Sequence, residues 1–185
     1  MPSNGHRSVL ARREFLFGAP AALGSLAAAP AQALSIFRKS PDLADGENRN
    51  LYMLNQRTGE IFNEIYFDGE DYLPEALDRF AHFARDLRAN QVGEMDPRLL
   101  DLAADIQELA GIDEPLILTH GFRSPSTRFR RGAANSMHLH GKALDMAHPR
   151  LRASDLHRHA AALDRGGLGR YPSFIHIDTG PTRRW

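Results

Sequence analysis

From Asn135 to Asp145 the chain reads Asn-Ser-Met-His-Leu-His-Gly-Lys-Ala-Leu-Asp, and its polar residues can meet only if the backbone folds back on itself. His138 and Asp145, with His176 from Ser173-Phe-Ile-His-Ile-Asp178, supply two imidazoles and a carboxylate, a common ligand set for a catalytic zinc. On a helix, positions i and i+7 share a face but lie about 10 Å apart. On a strand they point to opposite faces, more than about 20 Å apart. Protein ligands of one ion sit roughly 2 Å from it, so neither element fits. The backbone has to turn between the two residues, and Gly141 is where a turn comes at least cost. Beyond it Lys142-Ala-Leu-Asp-Met alternates like a strand, so Ala143 and Asp145 share a face. His176 and Asp178 also share one, with Ile175 and Ile177 directed to a core on the other side.

His-x-x-Gly-x-Ala-x-Asp, followed about thirty residues later by a strand histidine, resembles the zinc D-alanyl-D-alanine peptidase superfamily. Within it the chain is most similar to the murein endopeptidase K-like family. Gly121-Phe-Arg-Ser-Pro125, Gly167-Leu-Gly-Arg-Tyr-Pro172 and His176-Ile-Asp-Thr-Gly-Pro181 carry the likeness, with Trp185 closing the chain. Asn48 to Asn55 and Met95 to Asp101 extend it, so that it covers roughly residue 45 onward.

The resemblance implies zinc held by His138, Asp145 and His176, with a fourth position open to water. It also implies that Arg123 faces the scissile carbonyl and stabilises the oxyanion; the alternative is an arginine that binds a carboxylate of the fold. Many superfamily members place a His or Glu two or three residues before the last ligand. Phe174 and Ser173 stand there in this chain, and neither accepts a proton at neutral pH. Asp178 is then the expected general base, its alternative role being to orient an imidazole. His140 competes for the base role if the chain is still extended two residues after His138. Arg128, Arg130 and Arg131 form a basic run that reads as a solvated loop or as a contact for stem-peptide carboxylates. Arg170 stands where the family has a tyrosine before Tyr171, a difference at the substrate rim. Ser124 and Ser136 read as loop hydrogen-bonders, and His82, His148, His157 and His159 as surface residues.

Arg12-Arg13 before Phe15-Leu16, an alanine-rich apolar run and Ala31-Gln-Ala33 read as a twin-arginine leader over residues 1–33. The apolar run is short for a membrane span, which needs about 20 residues, so none is expected after cleavage. Export to the periplasm follows. Residues 34–47 read as a tether and 48–185 as one peptidase domain. Without the leader, 20 basic residues face 22 acidic ones, a balance that argues against nucleic acid as a partner. The absence of cysteine excludes thiolate metal sites and a cysteine nucleophile.

The domain reads as two strands over 51–55 and 60–67, joined by a turn containing Gly59. A helix carrying Leu73, Leu77, Phe80, Ala84 and Leu87 follows, then one opened by Asp96-Pro97 and ended at Gly111. Next come a buried strand over 115–120, a helix capped by Ser154, and a loop over 166–169. These elements suggest an α+β fold, a small mainly antiparallel sheet with helices on one side. The expected activity is hydrolysis of peptidoglycan cross-links by an exported zinc peptidase. A zinc carboxypeptidase or dipeptidase on wall peptides, and a wall-binding module with a structural metal, are the alternatives.

Overall fold

Apolar residues at every second position turn Leu51 and Met53 of β1 (Arg49–Asn55) inward, and β2 (Ile61–Phe67) buries Phe62 and Tyr66 beside them. Gly59, at φ +73°, closes the hairpin between them as expected, its N–H donating to the Asn55 carbonyl at 2.9 Å. The computed structural model describes residues 46–111, 113–127 and 135–185. The leader, most of the tether and the run of Arg128, Arg130 and Arg131 lie outside the described residues.

The remaining elements are α1 (Pro74–Phe83), α2 (Arg98–Leu109), β3 (Leu116–His120), β4 (Ala143–Ala147), α3 (Ala153–Ala162), β5 (Gly167–Arg170), β6 (Ile175–Asp178) and β7 (Arg183–Arg184). They build one seven-stranded sheet in the order β2-β1-β3-β4-β6-β5-β7. The β1–β3 and β5–β7 pairs are parallel and the other four antiparallel. The fold is α+β, with α1 against β2, α2 against β1 and β6, and α3 against β5 and β6. Among the described residues no helix is long and apolar enough to cross a membrane.

Register decides what each face of the sheet carries. Leu144 of β4 pairs with Ile177 of β6, which pairs with Leu168 of β5, and all three enter the core that the helices cover. One residue along, His120, Asp145, His176 and Gly169 form a row across β3, β4, β6 and β5. Directly opposed residues share a face, so this row lies on the side away from the core.

Three local expectations are corrected. α1 stops at Phe83, short of Ala84 and Leu87, because the Asp86 carboxylate accepts the N–H groups of Arg88 and Ala89 and bends the chain into a turn bridged to Gln91. Ser154 is not a cap: α3 starts at Ala153 after Arg152, with no side-chain cap bond. The glycines of 166–169 belong largely to a strand, β5, where a Cβ at Gly169 would come within 2.6 Å of the Trp185 indole. Glycine is used there for close approach as much as for turning. α2 begins at Arg98 with Pro97 at its N-cap and no side-chain bond from that residue; Asp96, one position earlier than the cap, accepts the Arg98 N–H at 3.1 Å.

Candidate metal centre

His138 sits in a single turn of 3₁₀ helix, Met137–His140, that ends at Gly141 in the left-handed region, φ 62°. The turn anticipated from spacing alone is therefore present, and it hands the chain directly to β4 and Asp145. Packing adds a second demand at Gly141. A Cβ there would run into the Glu94 carbonyl oxygen, and the Gly141 carbonyl accepts the Asp96 N–H at 2.9 Å.

Three atoms converge. His176 Nδ1 lies 2.8 Å and His138 Nε2 3.2 Å from Asp145 Oδ1, and the two nitrogens are 3.3 Å apart. All three residues are buried. The outer nitrogen of each ring is already engaged: His138 Nδ1–H donates to the Gly121 carbonyl at 2.7 Å, and His176 Nε2–H to Asp178 Oδ2 at 3.0 Å. Those partners set the tautomers, leaving both inner nitrogens as acceptors aimed at a carboxylate oxygen. Three acceptors within 3.3 Å of one another repel unless a cation lies among them. The donor set of two imidazoles and one carboxylate suits a divalent metal such as zinc, and both rings have the outward hydrogen bonds that such ligands usually make.

Asp145 is held as the anion by positive charge among these atoms. Burial by itself would raise its carboxyl, but protons on the inner nitrogens of His138 and His176, the place a cation would take, outweigh it and hold Asp145 far below the usual carboxylate range. Burial likewise disfavours the charged His176 ring, yet its bonds to Asp145 and Asp178 raise it overall.

Asp178 is on the face predicted for it, but behind His176, against the ring nitrogen that points away from Asp145. It is fully buried and spent: Oδ2 also accepts Arg183 Nη2 at 2.6 Å, and Oδ1 accepts the N–H groups of Gly180 and Gly167 and Arg183 Nη1. Burial pushes its carboxyl up, and the bonds from His176, Gly180 and Arg183 bring it down to about 2. His140 is exposed at the end of the 3₁₀ turn. The extended chain that would aim it with His138 is absent, since residues two apart in a three-residue turn do not share a face.

Two neighbours escaped the sequence reading. His120, at the end of β3, places Nδ1 3.6 Å from Asp145 Oδ2 with its side chain 43% exposed. Only the β3–β4 register brings it there. Arg183, two residues beyond the His176–Pro181 segment, is the main partner of Asp178. Arg123 is half-buried and lines a cleft with His120, its backbone N–H donating to the His138 carbonyl at 3.0 Å. Its loop is locked by Ser124, whose N–H and hydroxyl both donate to Asp86 Oδ2. Burial would raise the Asp86 carboxyl, but the Thr127 and Ser124 bonds hold it at about 2. Ser124 is thus the loop hydrogen-bonder expected. His148, expected at the surface, is buried, its Nδ1 accepting the N–H groups of Arg150 and Leu151.

Comparison with known proteins gives a consistent picture. The model of the peptidase family described as peptidoglycan L,D-endopeptidase MepK matches residues 43–185. Peptidoglycan L,D-endopeptidase MepK of Escherichia coli K12 is 39% identical over 145 residues, 74% of this chain and 80% of its own length. The Shigella flexneri protein of that name matches equally, and a probable one from Haemophilus influenzae is 37% identical over 146 residues, 74% and 78% of the two chains. No solved structure gives a significant match.

Proposed function

The chain belongs to the peptidoglycan L,D-endopeptidase MepK family of peptidases, and on that premise we propose that it hydrolyses peptide cross-links of peptidoglycan with a zinc ion held by His138 Nε2, Asp145 Oδ1 and His176 Nδ1. One observation carries the metal assignment: three buried acceptor atoms converge while both rings spend their other nitrogen outward. Bound there, zinc supplies Lewis acidity toward the scissile carbonyl and lowers the pKa of water toward 7. The relatives are named as L,D-endopeptidases, which supports an L,D peptide cross-link as the bond cleaved.

The chain's own groups divide the remaining work. Gly121 and Asp178 hold the two imidazoles in the tautomers that face inward, and Arg183 holds Asp178. Arg123, on a loop pinned to the His138 carbonyl and to Asp86, offers its guanidinium to the developing oxyanion. Asp178 has no oxygen left for a proton from water, and His140 lies off the site. Proton transfer falls to His120, the exposed imidazole beside Asp145.

These roles separate experimentally. His120→Gln is expected to keep its zinc and lose roughly 10² to 10⁴ in turnover, the usual worth of a positioned proton acceptor. Asp178→Asn should lose nearer 10- to 100-fold, with weakened metal affinity, as expected of a residue that orients a ligand. His140→Gln should change neither. A large turnover defect in Asp178→Asn at full zinc occupancy returns the base role to Asp178.

Residues 1–33 are read as a twin-arginine leader that takes the folded enzyme to the periplasm, and 34–47 as the tether. Arg12→Lys with Arg13→Lys should strand the precursor in the cytoplasm; undiminished periplasmic enzyme points to the general secretory route instead. The activity itself is tested by mass spectrometry of cross-linked and linear muropeptides incubated with the zinc-loaded mature protein. Monomers released from the cross-linked form support the endopeptidase. Trimming of linear peptides alone supports a carboxypeptidase or dipeptidase.

A further inference from the structure

Tyr171 and Trp185 are the exposed large aromatics among the described residues, and they stand together at the metal centre. The Trp185 indole lies 5.3 Å from the His176 ring, centroid to centroid, and remains 51% exposed. It is firmly held. Its backbone N–H donates to the Leu168 carbonyl at 3.2 Å, and its carbonyl accepts the Arg170 N–H at 3.0 Å. Its Nε1–H donates to the Tyr171 hydroxyl at 3.3 Å, and the Arg183 guanidinium carbon lies 5.0 Å from the ring centroid. A Cβ at Gly169 would collide with it, so β5 is bare where the indole rests. Tyr171 is braced in turn, stacked on Phe174 at 4.5 Å and 11°.

A large apolar ring fixed by this many contacts and still half in water is disposed to gain free energy when something covers it. The geometry points to Trp185, braced by Tyr171, as a platform for the aliphatic side chain of the residue flanking the scissile bond. This rests on the peptidase reading above. The distance selects the occupant: an extended peptide advances about 3.5 Å per residue, so a ring 5.3 Å from a metal-ligand imidazole meets the residue next to the cleaved bond. The chemistry selects its class. The indole presents carbon surface and its N–H is already given to Tyr171, so it takes a run of methylenes, such as the stem of a diamino-acid side chain.

Trp185 is the chain's one tryptophan, so intrinsic fluorescence reports on the platform alone. Adding a linear stem-peptide muropeptide to the zinc-loaded enzyme should change the emission saturably. On cross-linked muropeptides Trp185→Leu should raise KM roughly 10- to 30-fold, leaving kcat within about 3-fold of wild type and zinc content unchanged. Trp185→Phe should recover most of the loss, and it guards against a leucine variant that fails to fold. Emission unmoved by millimolar muropeptide overturns the platform. So does a fall in kcat at constant KM, which would make Trp185 a support for His176. If the wild type cleaves no muropeptide, the peptidase reading fails, and the emission titration still decides the platform.

Discussion

His138→Ala is expected to leave a folded protein that neither retains zinc nor cleaves cross-linked muropeptides. Removing one of three protein ligands should cost roughly 10³-fold or more in metal affinity and leave the other two acceptors without the geometry an ion requires. Asp145→Ala and His176→Ala should behave alike, because the three atoms lie within 3.3 Å of one another and serve one centre. His140→Ala is the informative control. It removes a second imidazole from the same 3₁₀ turn, yet zinc measured by elemental analysis after dialysis should stay stoichiometric. Full metal content and full activity in any of the three ligand variants would remove that residue from the site.

Gly141→Ala should be nearly as damaging, and through the fold. An alanine held at φ 62° costs about 1 kcal/mol or more from its Cβ alone. Collision with the Glu94 carbonyl then requires backbone to move on both sides, including the Asp96 N–H bond to the Gly141 carbonyl. About 3 kcal/mol in total corresponds to a fall in Tm of roughly 10 °C for a domain of this size. Because Gly141 joins His138 to β4, zinc affinity should fall with stability. Thermal denaturation with and without added zinc is the measurement. An unshifted Tm would mean that the turn relaxes without cost and that glycine is not required there.

The three candidate ligands were legible because their logic is local. Two residues seven apart cannot share an ion without a turn, only one glycine lies between them, and the alternation after it places Asp145 on a definite face. The His176–Asp178 pair was legible for the same reason: period two in a strand needs no knowledge of its neighbours. The hairpin at Gly59 and the start of α2 after Asp96 and Pro97 rest on equally short-range chemistry.

Where the reading stopped, the deciding contact came from outside the strand whose period was read. Alternation put Asp178 beside His176, but Arg183 and the Gly167 and Gly180 amides, gathered by β5 and the chain after β6, spend its oxygens. His120 reaches the site through the β3–β4 register, with a bulge before it, and no period within β3 reveals that partner. Gly167 and Gly169 read as a loop because glycine is poor strand material; they form β5 because Asp178, Arg183 and Trp185 press on its backbone. By itself the sequence carried the family resemblance, the three candidate ligands His138, Asp145 and His176 and the turn between the first two, since those rest on motifs and spacing within short segments. Which groups orient the ligands, which imidazole meets solvent and what walls the cleft were decided only by the tertiary structure, because strand pairing brings together side chains that no local periodicity relates.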